Sequence, residues 1–333
     1  DGDAPQGASA LARAMLCGDA AKRWYDKLTW VVFANGVAGV NFEHSPVDGA
    51  QLIFTVEDLA RRIANAPPRP AAPPPPAAEA APLLLRWSVP VPLALRIERA
   101  RADAAAAAAR LECEATMLRC VSLDWARQQR LSLDTLVQMA LQMGYRAVRG
   151  RLDSTYEACS TNNFVCGRTE TIRSVTPQSV ALCEALARGQ ADVPAQLSLL
   201  QAALDAHRTT VRACQAAHGH ERHLLALRFQ AVDLGRPTPA LFCDGGYAAV
   251  GNSVLSTSGL RSPALELFCF GPVVETGMGF GYVLKPDGVL LSVTSWRGKG
   301  PPAAEVSAAV EAALRQLRTL VEQRSPPPPR SKL

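Results

Sequence analysis

Residues 66 to 82 are almost wholly proline and alanine, with Pro67, Pro68, Pro70 and Pro73 to Pro76 among them, and no packed core can run through such a stretch. Proline fixes φ and lacks a backbone N–H, and alanine offers little apolar surface, so the composition predicts a semi-rigid, solvated linker. The chain is thereby divided. The expected boundaries are a leading segment over 1–65, a linker over 66–90, a carboxy-terminal domain over 91–324 and a proline-rich tail over 325–333.

In the leading segment, Trp24 to Phe33 and Val37 to Phe42 read as two strands about Asn35-Gly36, a strong hairpin signal. From Gln51 to Ala64 the apolar residues Leu52, Ile53, Val56, Leu59 and Ile63 recur at helical period. Between them lies Glu43-His44-Ser45-Pro46-Val47-Asp48-Gly49, which therefore sits in a strand-to-helix loop. An imidazole titrates near neutrality and can take and return a proton, and Asp48 could orient or polarise it. On local chemistry alone two readings stay open: an acyl-transfer base, or an ordinary hydrogen-bonded pair.

Beyond the linker, Leu83 to Ile97 suggests extended structure, Arg99 to Glu112 a helix and Met117 to Leu123 a strand. Ser132 is a natural N-cap for a helix over Leu133 to Val148. Residues 151–174 read as polar and irregular, and helices are expected at about 177–188, 194–217 and 221–233. Strand-like pieces follow at Ser253–Thr257, Leu265–Phe270, Gly279–Leu284 and Val289–Val293, then a helix over Ala303–Glu322. Strands interleaved with helices predict an α/β layered architecture. At 333 residues and 48% hydrophobic content the chain can bury a sizeable core.

Composition narrows the function classes. The net charge of +5 suits an anionic ligand such as a phosphorylated cofactor, whereas the basic residues are too dispersed for a nucleic-acid reader. No apolar run approaches the roughly 18 to 20 residues of a membrane helix, and the amino end shows no signal peptide. The nine cysteines show no C-x-x-C pair and read as mostly buried thiols of a reducing compartment. His218, His220 and His223 could suggest a metal, but no carboxylate or cysteine completes a tetrahedral set, and no metal site is expected. The first residue is Asp1, which points to a processed product or a fragment. The last three, Ser331-Lys332-Leu333, form a peroxisomal import address read by a receptor, so the peroxisomal matrix is the expected compartment.

A set of further motifs falls in a fixed order: Tyr156-Glu157, Gly167-Arg168-Thr169-Glu170-Thr171-Ile172-Arg173, Glu221-Arg222-His223, Ser256-Thr257-Ser258 and Phe270-Gly271-Pro272-Val273-Val274. With the histidine segment, these resemble the choline/carnitine acyltransferase family from about Lys22 to Leu320, and most nearly its short-chain, peroxisomal carnitine members. The resemblance implies a coenzyme A-dependent acyltransferase fold of the chloramphenicol acetyltransferase type, a mixed sheet flanked by helices, as one domain plus a remnant of another. Family members are about twice as long, with coenzyme A and carnitine entering a tunnel between two similar domains from opposite ends.

The same resemblance implies His44 as general base, Asp48 as its paired acid and Ser258 as oxyanion donor. It places Tyr156, Thr169 and Arg222 on the carnitine carboxylate, for which hydroxyls and a guanidinium are the fitting partners. Ser256 belongs to the same carnitine site, and Phe270 to the wall against the trimethylammonium group. Phe268 falls where acetyl-specific members carry a bulky residue closing the acyl channel. Arg127 and Asp134 fit two coenzyme A positions, while Leu123 replaces a lysine. The expected activity is reversible transfer of a short acyl group between coenzyme A and carnitine by a monomer, with no permanently bound cofactor. The alternatives are a non-catalytic ligand-binding or scaffold homologue and a medium-chain carnitine acyltransferase.

Overall fold

The computed structural model describes residues 2–19, 24–67, 85–189 and 192–324. The leading part folds as α1 (Ala8–Leu16), a hairpin of β1 (Thr29–Val32) and β2 (Ala38–Asn41), and α2 (Gly49–Ala64). The hairpin turns as its Asn-Gly pair predicts, with Gly36 at φ 83°, a left-handed conformation that side chains resist. The chain resumes with α3 (Val91–Arg110), β3 (Leu111–Leu118), α4 (Leu123–Gln128), α5 (Leu133–Arg149), β4 (Thr155–Ser160) and β5 (Thr169–Arg173). Then come α6 (Pro177–Arg188), α7 (Val193–Gln215), α8 (Glu221–Asp233), a short 3₁₀ turn at Ala240–Cys243 and α9 (Gly245–Gly251). The last elements are β6 (Leu255–Leu260), β7 (Met278–Lys285), β8 (Gly288–Trp296) and α10 (Ala303–Glu322).

Six strands form one mixed sheet in the order β3-β8-β7-β6-β4-β5. The β6 strand runs parallel to both β4 and β7, and the other pairings are antiparallel. Along β7 and β8 the alternation is clean. Met278, Phe280, Tyr282, Leu291 and Val293 bury themselves in the helix-side core with α5 and α10, while Gly279, Gly281, Ser292 and Thr294 take the other face. Helix α1 covers the free edge of β3: Ser9 Oγ accepts from Ala115 N at 2.9 Å, and Arg13 donates to the carbonyls of Ala108 and Leu111.

Helix α5 is the centre of the core. Its start is fixed by Ser132, whose Oγ accepts from Thr135 N at 3.3 Å, and its end by Gly150 at φ 75°. Leu136, Met139, Ala140 and Leu141 are fully buried along it. At Gly144 the helix lies directly on α10, where a Cβ would stand 2.6 Å from Val310 N.

Four expectations fail. The alternating apolar residues Val91, Leu93, Leu95 and Ile97 do not form a strand but the exposed start of α3, because Pro90 and Pro92 suit a helix's first turn and the alanine run propagates it. The strand expected over Met117–Leu123 begins earlier, at Leu111, where it pairs with Trp296. Residues 151–174 contain β4 and β5 rather than irregular structure; most of their buried positions are polar (Thr155, Glu157, Glu170 and Thr171, against Cys159 and Ile172), so no hydrophobic alternation announces them. Leu265–Phe270 joins no strand ladder, because its carbonyls are bound by side chains instead. Most of the expected linker (68–84) and the tail with Ser331-Lys332-Leu333 lie outside the described residues. Among the described residues no helix is long and apolar enough to cross a membrane.

Replacing Gly144 by Ala raises helix propensity but drives a methyl into the backbone of α10, and the clash outweighs the gain. Urea unfolding of Gly144→Ala is expected to show a loss of roughly 1–3 kcal/mol relative to the parent protein.

Candidate functional site

The sheet face opposite the core helices carries most of the singled-out residues. The parallel register sets Tyr156 beside Ser256 and Glu157 beside Thr257, and Gly279 and Gly281 follow on β7 beside Ser256 and Ser258. Ser256 is buried and Ser258 half-buried. The glycines answer a close approach: a Cβ at Gly279 would stand 2.7 Å from Phe270 O, and one at Gly281 would stand 2.6 Å from Phe268 O. From β8, Ser292 Oγ donates to Phe268 O at 2.6 Å and Thr294 Oγ1 to Phe270 O at 2.7 Å. Residues 268–270 are therefore laid flat across the sheet, with the half-buried rings of Phe268 and Phe270 5.6 Å apart.

His44 stands in the loop between β2 and α2, with its side chain 65% exposed and Asp48 beneath it at 5%, and His44 Nδ1 lies 3.4 Å from Asp48 Oδ1. The loop is fastened by Arg168, a residue whose own motif gives no sign of that role. Its Nε and Nη2 donate to the Asp48 carboxylate at 2.9 to 3.2 Å, its Nη2 to His44 O at 2.8 Å and its Nη1 to Ser45 O at 3.0 Å. The Asp48 hydrogen bonds hold the Arg168 pKa above the ordinary value. Gln51 accepts from Asp48 N at 3.2 Å and donates to Asn162 at 3.3 Å, and a Cβ at Gly49 would lie 3.7 Å from Leu260 at the end of β6. Apart from His44–Asp48 and Asp48–Gln51, each contact crosses more than a hundred residues of sequence.

One position further along β5, Thr169 meets Arg222 from the first turn of α8. Arg222 Nε donates to Thr169 O at 2.9 Å and its Nη2 to Thr169 Oγ1 at 3.2 Å, while its backbone N–H donates to the buried Glu170 carboxylate at 3.3 Å. Thr169, Arg222, Phe164 and His223 line a cavity of about 200 Å³. Tyr156 is not gathered with them. The hairpin register pairs it with Arg173 and pairs Thr169 with Ser160, four residues away, about 13 Å at a strand's rise.

On the core side, polar groups form a buried network. His207 Nε2 meets Glu157 Oε2 at 2.7 Å, Tyr282 Oη donates to Asp134 Oδ1 at 2.6 Å, and Gln138 donates to Thr257 and Tyr282. Burial pushes the Glu157 carboxyl up to about 6 against the opposing His207 hydrogen bond. Burial depresses the His207 imidazole, but its hydrogen bond to Glu157 and the negative charges of Glu157 and Asp134 together outweigh that and raise it. Asp134 and Glu157 line a second cavity of about 260 Å³, together with Gly259, Leu260 and Arg261. Asp134 thus faces this cavity, whereas Arg127 is exposed and paired with Asp124 at 2.7 Å. Leu123, at the replaced lysine position, packs against the core. Among the described residues no group of three or more His, Cys, Asp or Glu is arranged to hold a metal.

Sequence reasoning missed Arg168 and His207. Arg168 stood inside a quoted motif, yet nothing local signals that it reaches back to Asp48. His207 was a single histidine on an otherwise ordinary helix, and only its neighbour across space makes it part of a pair.

A family model described as Choline/Carnitine o-acyltransferase matches residues 1–312. Choline O-acetyltransferase of Rattus norvegicus is 32% identical over 311 residues, covering 92% of this chain and 48% of that protein. Mitochondrial carnitine O-palmitoyltransferase 2 of Bos taurus is 30% identical over 325 residues, covering 94% and 48%. The chain spans about half the length of the curated relatives it matches. Among solved structures, the epimerization domain from the third module of tyrocidine synthetase B overlays with a TM-score of 0.43 at 12% identity, covering 85% of this chain and 68% of that one. A chloramphenicol acetyltransferase gives a TM-score of 0.34 at 8% identity, covering 62% and 87%.

The Glu157–His207 pair sets a pH dependence. Both folded pKa values lie above the ordinary 4.5 and 6.5, so the native state binds more protons than the unfolded chain across that interval. Stability contributed by the pair is complete below the carboxyl's ordinary value and falls as pH rises through about 6 and beyond the imidazole's raised value. Urea titrations across this range are expected to show a fall on the order of 2 kcal/mol, and Glu157→Gln to flatten it.

Proposed function

We propose that this chain, which belongs to the choline/carnitine O-acyltransferase family, bears the carnitine side of a site that transfers a short acyl group reversibly between coenzyme A and carnitine. The observation that carries the choice of carnitine is the Arg222–Thr169 corner. A guanidinium and a hydroxyl facing one 200 Å³ cavity suit a carboxylate, which carnitine has and choline lacks. Ser256 and Tyr156, side by side on the same sheet face, sit apart from that corner and suit the rest of the acceptor. Phe270 supplies the wall for its trimethylammonium group.

The chemistry follows from the loop. Asp48 lies at Nδ1 of His44, so Nε2 is the atom left to take the proton of the carnitine hydroxyl. The oxygen then attacks the thioester carbonyl, and the Ser258 hydroxyl donates to the oxyanion that forms. Collapse breaks the carbon–sulfur bond, and His44 returns its proton to the departing thiolate. Asp48 and Arg168 act by holding the imidazole in place. Phe268, beside Phe270 on the sheet, limits the acyl chain, and Asp134 and Arg127 belong to the coenzyme A side. The terminal Ser331-Lys332-Leu333, where those residues end the protein, directs it to the peroxisomal matrix through the import receptor.

Two experiments test this reading on the protein that carries the chain, with free thiol followed from acetyl-coenzyme A. Carnitine is expected to serve as acceptor and choline not. His44→Ala should abolish turnover, and Arg222→Ala should raise KM for carnitine by roughly tenfold to a hundredfold with the fold intact. Turnover with choline and none with carnitine would sink the carnitine assignment. Phe268→Gly is expected to raise kcat/KM for octanoyl- over acetyl-coenzyme A by roughly tenfold or more, as lengthening a hydrophobic pocket by several methylenes does. An unchanged chain-length preference would remove Phe268 from the channel.

A further inference from the structure

Outside the groups discussed so far, Cys113 on β3 and Cys269, between Phe268 and Phe270, face each other with their sulfurs 3.6 Å apart. Their approach is fixed from both sides. Cys113 pairs in register with Thr294, whose hydroxyl holds Phe270 O, and Ser292 on the same strand holds Phe268 O. The residues flanking Cys269 are thus pinned to β8 while Cys113 is held beside it in the ladder. Both side chains are half-buried, within reach of a small solute.

The two thiols also differ in character. The contact with Cys113 and the Ser292 hydroxyl hold the Cys269 thiol below its ordinary value, while that contact and burial push the Cys113 thiol up. Elsewhere burial, chiefly, and nearby carboxylates raise Cys159 and Cys183 to about 12. One member of the pair is therefore the readier nucleophile and the other stands waiting at its sulfur.

We propose that Cys113 and Cys269 form an oxidation site at which a peroxide closes a disulfide, clamping the Phe268–Phe270 segment to the sheet. The Cys269 thiolate attacks a peroxide oxygen, the O–O bond breaks, and a sulfenic acid forms as the released hydroxide takes up a proton as water. The Cys113 sulfur then attacks the sulfenyl sulfur, the S–O bond breaks, and a second water leaves. Two thiols lose two electrons, the peroxide gains them, and the products are one disulfide and two waters. Closing the 3.6 Å contact to the roughly 2 Å of a disulfide is within the reach of side-chain rotation. The modification stands whichever acceptor the site takes.

The test exposes the intact chain to hydrogen peroxide, alkylates remaining thiols, and maps the digest without reduction. A peptide linking Cys113 to Cys269, reversed by a dithiol, is expected, and backbone amides at 267–271 should exchange hydrogen roughly tenfold more slowly once it forms. Cys113→Ser, with its fold checked by circular dichroism, should give no link and instead accumulate a sulfenic acid at Cys269 that dimedone traps. Cys17 lies near enough to act electrostatically on Cys269. A Cys17–Cys269 link in place of the expected one would overturn the proposal. So would a link that forms only in denaturant, or a linked protein whose exchange at 267–271 is unchanged.

Discussion

Burial of one face of the six-stranded sheet beneath α5, α6, α7 and α10 is the constraint from which the other features follow. Met278, Phe280, Tyr282, Leu291 and Val293 commit that face to the core, and the period of two then sends Gly279, Gly281, Ser292 and Thr294 to the other side. A face made of small and hydroxyl-bearing residues cannot pack a helix. It can accept main chain, and residues 268–270 lie on it because two serine and threonine hydroxyls supply the hydrogen bonds their carbonyls lack. The aromatic residues assigned to the acyl and ammonium walls are consequently held by the sheet rather than by a ladder of their own.

A second dependence is electrostatic. The histidine loop belongs to the leading part of the chain and the Thr169–Arg222 corner to the trailing part, and Arg168 joins them by grasping Asp48, Ser45 and His44. Asp48 is buried and Arg168 half-exposed, so the pair is a partly desolvated anchor whose strength comes from several charge-assisted bonds rather than from one contact. A guanidinium suits this position because its planar fork meets a carboxylate and two carbonyls at once, which a lysine could not do.

Much of the architecture was legible in particular residues. Asn35-Gly36 dictated the hairpin, Ser132 the start of α5, and the apolar period the helices at Pro177–Arg188 and Ala303–Glu322. The failures share a cause. In β4 and β5 the buried positions include the carboxylates Glu157 and Glu170, whose partners His207 and the Arg222 amide come from elsewhere in the chain, so their burial left no mark in the local pattern. Leu265–Phe270 had the composition of a strand but found side-chain hydroxyls instead of a neighbouring backbone. Val91 to Ile97 alternated as a strand does, yet Pro90 and Pro92 at its start and the alanines behind it favoured a helix.

The candidate site divides in the same way. Motif order in the sequence, through the family resemblance it carries, was sufficient to single out His44, Asp48, Tyr156, Thr169, Arg222, Ser256 and Ser258 as candidates. Their arrangement was decided only by the tertiary structure. It brought Thr169 to Arg222 and His44 to Asp48, set Tyr156 at the far end of its hairpin beside Ser256, and left Arg127 on the surface. The β4–β6 register and the long reach of Arg168 depend on contacts a hundred or more residues apart, and no local pattern in a single chain encodes a partner at that separation.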